Sequence, residues 1–325
     1  MKLTVAVTNV NWTLWSTSGS VESMVLTGVF VPLITPFSTG GEVALPALEV
    51  LAHEVLDAGA TGLLALGTTG EPSSLSPSEQ QAVVDLVWRV CRERSAPLLV
   101  GASTIAAVAA LPSGVTAALS VVPPFVRPGE AGVIAHFTTL AAASPAPIVV
   151  YHVPYRTGQP LSANTIRRLA GIEGIIGIKY SAGGIDAETI DLMADPPPGL
   201  AILGGDDPFI SPLLALGAHG GILASAHVAT ARYVELVNAW RGGDTQRARP
   251  LGHRLAGLSS ALFAEPNPTV IKAALHAQGR IPSPFVRLPL LAAGSGSLRA
   301  VAHHPDAGVG EDLRVDQLKV GVAGE

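Results

Sequence analysis

A (β/α)8 TIM barrel extended at its C-terminus by helices is the α/β architecture that this 325-residue chain predicts. Three observations carry the prediction. Short apolar, often β-branched runs alternate with longer amphipathic stretches, which is the signature of parallel βαβ units. Eight such runs fall within about 200 residues, the number and span that a closed barrel needs, with a doubly wound open sheet as the competing arrangement. The chain is 48% hydrophobic and only 14% charged, so a large core is available.

Taken in order, the first run is Gly28–Ile34, and the helical pattern over Leu45–Ala58 ends at Gly59, a residue suited to a helix C-terminus. Thr61–Leu66 is the second strand. The helix after it, Pro77–Arg94, opens on Ser76-Pro77-Ser78-Glu79: a capping serine, proline at the first helical position and a glutamate three residues beyond the cap. After the third strand, Leu98–Val100, only Thr104–Leu111 is free to coil before Pro112 stops it, so this helix is short. Ala117–Val122, Ile148–His152, Ile175–Lys179, Leu200–Leu203 and Gly221–Leu223 complete the strands. Helices over Glu130–Ala142, Ser162–Ala170, Ala187–Met193 and Pro208–Leu216 separate them. Ala229–Trp240, Thr245–Ala264 and Thr269–Gln278 read as three further helices packed at one end of the barrel.

The domain organisation follows. Residues 1–24 read as a disordered extension or a mis-assigned start, because polar residues interrupt any signal-peptide core and Met24 directly precedes the first strand. Residues 25–226 form the barrel and 227–292 the helical domain. Residues 293–325, rich in Gly, Ala and Ser and without sustained periodicity, read as a flexible tail.

Composition narrows the function. A net charge of -5 argues against nucleic acid as a partner. The uncharged stretch from Ser95 to Val126 is broken by Pro112, Ser113, Gly114 and Pro123-Pro124, so a buried helix and strand are expected there rather than a membrane span. A single cysteine, Cys91, leaves no disulfide framework and fits a reducing cytoplasm; it sits among apolar helix neighbours and reads as core. His53, His136, His152, His219, His227, His253 and His276 show no metal-ligand spacing, and neither GxGxxG after the first strand nor GxxxxGK[ST] is present. No metal and no dissociable cofactor is expected.

Active sites of such barrels form where strands end. Strand two ends in Gly67-Thr68-Thr69-Gly70-Glu71, strand five in Tyr151 to Gly158, and strand six in Lys179. A lysine emerging at a barrel mouth is desolvated, which disfavours its charged form, and a neutral amine can attack a ketone to form an imine. The alternative is a lysine reaching out to solvent from a strand end. Of the four lysines, Lys2 and Lys319 are terminal and Lys272 sits within a helix. Tyr151, ending the neighbouring strand, can shuttle a proton or simply fill the core. The Gly-Thr-Thr-Gly turn offers N–H groups and hydroxyls to a small carboxylate, and Arg156 can clamp a second one or form an ordinary surface ion pair.

Assembled, these residues resemble the dihydrodipicolinate synthase / N-acetylneuraminate lyase family of Schiff-base aldolases. The resemblance runs from about Thr27 to Leu291 and rests on several motifs in one order. They are GVFVPLITPF, GTTGEPSSLS at Gly67–Ser76, YHVPYRTG at Tyr151–Gly158, GIKYSAGG at Gly177–Gly184, GGDD at Gly204–Asp207 and FAEPNPTVIKAAL at Phe263–Leu275. It implies that Lys179 forms a Schiff base with pyruvate and needs no other cofactor. It implies that Tyr151 is the proton relay, that Thr68 and Thr69 bind pyruvate with Thr69 linked into the relay, and that Arg156 recognises the second substrate. Gly205 and Ile222 would line the pocket, and the assembly would be a homo-oligomer, dimer or tetramer. The motifs look most like those of the synthases that condense pyruvate with aspartate semialdehyde on the way to lysine. Another pyruvate-dependent aldolase or dehydratase, or a barrel that only binds, are the alternatives.

The sequence also departs from that pattern. Phe125 stands where the family has a tyrosine that reaches into the partner subunit's site, and phenylalanine cannot pass a proton. Tyr180 follows the lysine where an acidic residue is usual. Pro72, Pro77 and Pro124 occupy the positions that bind inhibitory lysine in some members, so no feedback through that site is expected.

Overall fold

The computed structural model describes residues 25–308. The proposed extension over 1–24 and the last part of the tail lie outside the described residues. Eight strands close into one parallel barrel in sequence order: β1 (Gly28–Pro32), β2 (Gly62–Ala65), β3 (Leu98–Gly101), β4 (Ala117–Val121), β5 (Ile148–His152), β6 (Ile175–Tyr180), β7 (Ala201–Gly204) and β8 (Gly220–Ile222). The open-sheet alternative falls because β8 pairs with β1, Gly28 lying opposite Gly220. A Cβ on Gly220 would come within 1.9 Å of the Gly28 carbonyl oxygen, so the seam needs a residue with no side chain there.

Alternation along each strand sorts side chains into two cores. Phe30, Leu64, Leu99, Leu119, Val149, Leu203 and Ile222 fill the barrel interior together with Tyr151. Val31, Leu63, Val100, Ala118, Val150, Ile178 and Ile202 face outward, against the helices. Since Ile178 faces out, Lys179 must face in.

The helices are α1 (Leu45–Asp57), α2 (Pro77–Arg94), α3 (Ile105–Ala109), α4 (Gly129–Ala143), α5 (Pro154–Thr157), α6 (Ala163–Ala170), α7 (Ala187–Ala194), α8 (Ile210–Ala215), α9 (Ala226–Arg241), α10 (Thr245–Leu262), α11 (Thr269–Ala277) and α12 (Ser295–Ala302). The capping box at the start of α2 forms as its sequence predicts, the Ser76 side chain accepting from Glu79 N–H and the Glu79 carboxylate accepting from Ser76 N–H. Gly59 adopts φ +95°, the left-handed conformation that ends α1. Short as α3 is, the Thr104 hydroxyl caps it by accepting from Ala107 N–H at 3.1 Å, and β3 and β4 still pair.

One expectation is corrected. The segment from 293 is not irregular throughout: Ser295–Ala302 is helical, with Leu298 and Val301 buried, and α12 packs on α10 and α11. Its helicity comes from docking those two side chains rather than from its Gly- and Ser-rich sequence. No helix of the described residues is long and apolar enough to cross a membrane.

Candidate active site

Lys179 and Tyr151 occupy the same register step of adjacent parallel strands β5 and β6. Both point into the barrel mouth, and the Lys179 Nζ lies 4.4 Å from the centre of the Tyr151 ring. Lys179 is 7% exposed. Burial pulls its pKa down from 10.5 to about 8, against the opposing pull of the Asp207 and Asp206 carboxylates, while the Arg156 guanidinium assists the fall. At pH 8 about half of such amines are neutral, against well under ~1% for an unperturbed lysine. The solvent-seeking alternative for Lys179 is therefore not what the structure adopts.

Tyr151 is also buried, and burial pushes its phenol up to about 12; the Arg156 charge acts the other way. The phenol thus stays protonated near neutrality and can donate. Around this pair a pocket brings together Thr68, Thr69, Arg156, Gly205 and Ile222, all expected there from the sequence. Phe125 is the exception: it lies outside the pocket, 89% exposed, on a loop where its own φ is +69°.

In the turn after β2, Thr68 and Thr69 both line the pocket that holds Tyr151. Thr69 is buried, and its Oγ1 accepts from Asn267 Nδ2 at 2.9 Å.

Gly205 has a steric reason. A Cβ there would lie 2.5 Å from Lys179 Cε and 2.3 Å from Ser181 Oγ, so any larger residue displaces the amine's stem. Arg156 sits on α5 immediately beyond β5, exposed at the pocket mouth, with its guanidinium carbon 5.6 Å from the Tyr155 ring centre.

Several pocket residues received no role in the sequence analysis. Asp207 is 1% exposed and near Lys179; its Oδ2 accepts from Ser225 N–H while Oδ1 has no partner. Burial raises its pKa to about 6. Tyr155, Phe263 and Asn267 also line the pocket. Asp207, in the GGDD motif, directly follows the end of β7, a local signal that could have found it, whereas nothing local says that Phe263 and Asn267 of the FAEPN motif reach the barrel mouth. Tyr180, the departure next to the lysine, faces the opposite way: it is buried between β6 and the helices, its hydroxyl 3.0 Å from Thr189 Oγ1. It therefore leaves the pocket untouched. His227 is likewise structural, its Nε2 accepting from Ile34 N–H at 3.1 Å.

Against known proteins, residues 25–303 match the model of the dihydrodipicolinate synthetase family. The chain belongs to this family. It is 36% identical over 275 residues to 4-hydroxy-tetrahydrodipicolinate synthase 2 of Clostridium acetobutylicum, covering 82% of this chain and 95% of that protein. The synthase of Methanothrix thermoacetophila is 38% identical over 272 residues, with 81% and 90% covered. Among solved structures, dihydrodipicolinate synthase from Aquifex aeolicus superposes with a TM-score of 0.80 at 31% identity, covering 87% of this chain and 99% of that one. The Acinetobacter baumannii enzyme, solved in complex with pyruvate, gives 0.80 at 34% identity over the same shares of the two chains. A monomeric dihydrodipicolinate synthase variant gives 0.83 at 29% identity, covering 90% of this chain and all of that one.

Proposed function

We propose that the chain is a pyruvate-dependent Schiff-base lyase, a 4-hydroxy-tetrahydrodipicolinate synthase that condenses pyruvate with L-aspartate 4-semialdehyde. The observation that carries the reading is the buried, partly neutral Lys179 amine facing the Tyr151 phenol in one pocket, in a chain whose curated relatives bear that name.

In this reading the Lys179 nitrogen attacks the keto carbon of pyruvate, and the carbonyl oxygen leaves as water after taking up two protons, giving an imine. Loss of a proton from the methyl carbon yields an enamine, whose carbon bonds to the aldehyde carbon of the second substrate. Tyr151 passes protons in both stages. The pyruvate carboxylate sits against the Thr68–Thr69 turn, and Arg156 at the mouth takes the charged end of the aldehyde.

The missing hydroxyl at Phe125 has a substitute within this chain. Tyr155 lines the same pocket as Tyr151, burial raises the pKa of its phenol so that it keeps its proton, and it is 61% exposed. It therefore links a buried phenol to bulk water, and we assign it the outer step of the relay.

The reading includes small molecules as the only partners besides copies of the chain itself, a dimer or tetramer assembled through the exposed Phe125–Val126 loop, and a cytoplasmic setting consistent with one buried, unreactive cysteine. Coupled assays with pyruvate and aspartate semialdehyde test it directly. Turnover with that aldehyde supports it; negligible turnover beside rapid consumption of another aldehyde or sugar acid assigns a different lyase of the family.

A further inference from the structure

The turn that carries Thr68 and Thr69 is held from behind by the C-terminal helical segment. Glu71 ends the turn in left-handed backbone, φ +53°, its N–H donating to the Thr68 carbonyl at 3.2 Å. That conformation is uncommon for a residue with a side chain and persists only where surroundings enforce it. The Glu71 carboxylate is buried and doubly engaged: one oxygen accepts from Lys272 Nζ, the other from Arg287 N–H at 3.0 Å.

Lys272 is itself fully buried on α11. Its amine also donates to the Phe285 carbonyl at 2.9 Å and lies 3.9 Å from the centre of the Phe37 ring. Burial pulls its pKa down to about 8, while the Glu71 carboxylate acts to restore the charge. It is the second buried lysine of the described residues, yet it does not line the pocket and has no part in the chemistry above. An ion pair taken out of water brings little net stability, because desolvation offsets the attraction, so stability alone is a poor account of it. What it does is fix geometry. Asn267, five residues before Lys272, donates to Thr69 Oγ1 from the same segment. By accepting that bond, the Thr69 hydroxyl is left with its own proton to donate forward.

We infer that Lys272 and Glu71 are positioning residues for the keto acid: their buried ion pair sets the direction of the Thr68 and Thr69 hydroxyls, and so the affinity of the pocket for the substrate carboxylate. The inference rests on reading that turn as the carboxylate site. A preorganised site needs its contact groups locked by a supporting layer, and this pair is the supporting layer on the side away from Lys179.

The test is borohydride trapping as a function of pyruvate concentration, using the full chain and the double variant Lys272→Met with Glu71→Gln. That variant removes both charges together and leaves no lone buried ion. The expected result is a half-saturating pyruvate concentration about 10-fold higher, with the plateau rate near that of the unmodified protein, because Lys179 is untouched. A merely structural role would lower the yield of trapped protein at the plateau and leave half-saturation unchanged; that result overturns the inference. If the double variant shows no cooperative thermal unfolding, Glu71→Asp alone decides, since it keeps both charges and shortens the reach of the carboxylate. A rise of about threefold is expected there, and no rise overturns the inference. Failure of the unmodified protein to trap pyruvate at all would instead remove the functional reading.

Discussion

Tyr151 and Lys179 lie opposite each other across β5 and β6, with the amine 4.4 Å from the ring centre. This pairing couples the two groups that an imine mechanism needs. Burial lowers the pKa of the amine and raises that of the phenol, so near neutrality one is partly uncharged and the other still holds its proton.

The pH dependence follows from the amine. Only neutral Lys179 attacks a carbonyl, and its pKa lies at about 8, below the ordinary 10.5. The rate of adduct formation at low pyruvate should rise with pH and reach half its plateau near pH 8. A rate still climbing tenfold per unit at pH 9.5 would place the amine in water.

Asp207 opposes the lowering of the Lys179 pKa by holding negative charge nearby. Asp207→Asn should therefore shift the trapping profile to lower pH, by about half a unit to one unit. The carboxyl itself titrates near 6, so the two proteins should differ at pH 8 and converge below pH 5, where Asp207 is protonated. A profile unmoved at pH 8 would show that Asp207 does not act on the amine.

Gly205→Ala places a methyl within 2.5 Å of Lys179 Cε. The side chain must leave its present path, and a displacement of about 1 Å at a reacting group costs on the order of 100-fold in rate. Trapping kinetics should show that loss while circular dichroism remains that of a folded barrel. Unaltered kinetics would mean that the lysine stem has room the structure does not show.

Tyr155→Phe tests the outer relay step. Steady-state kcat should fall about 10-fold, the size of a general acid–base contribution, with the half-saturating pyruvate concentration changed by less than about twofold. If kcat holds, another hydroxyl or water carries the proton outward.

How much of this could be read from the sequence depended on distance along the chain. The strands and Lys179 were legible because period-two alternation and strand ends are local signals: Ile178 facing out obliges Lys179 to face in. Tyr151 followed from the same logic one strand away. Thr68 and Thr69 were legible as a pair, but that Thr69 is tied back to Asn267 is something no local pattern specifies. Asn267 and Lys272 were invisible as partners of that turn, because they meet Thr69 and Glu71 across 198 and 201 positions of sequence. The helix α12 was missed for a related reason: its apolar Leu298 and Val301 gain meaning only from the α10 and α11 surfaces that they cover. Phe125 shows the reverse, a departure visible in sequence, whereas the presence of Tyr155 in the pocket became apparent only when the pocket was assembled.

The most direct measurement is mass spectrometry of the full chain after reduction with borohydride in the presence of pyruvate. The account predicts one adduct whose mass gain equals pyruvic acid less one oxygen atom, located on the peptide that carries Lys179 and lost in Lys179→Met. No adduct, or an adduct confined to Lys272 or the other lysines, would contradict it.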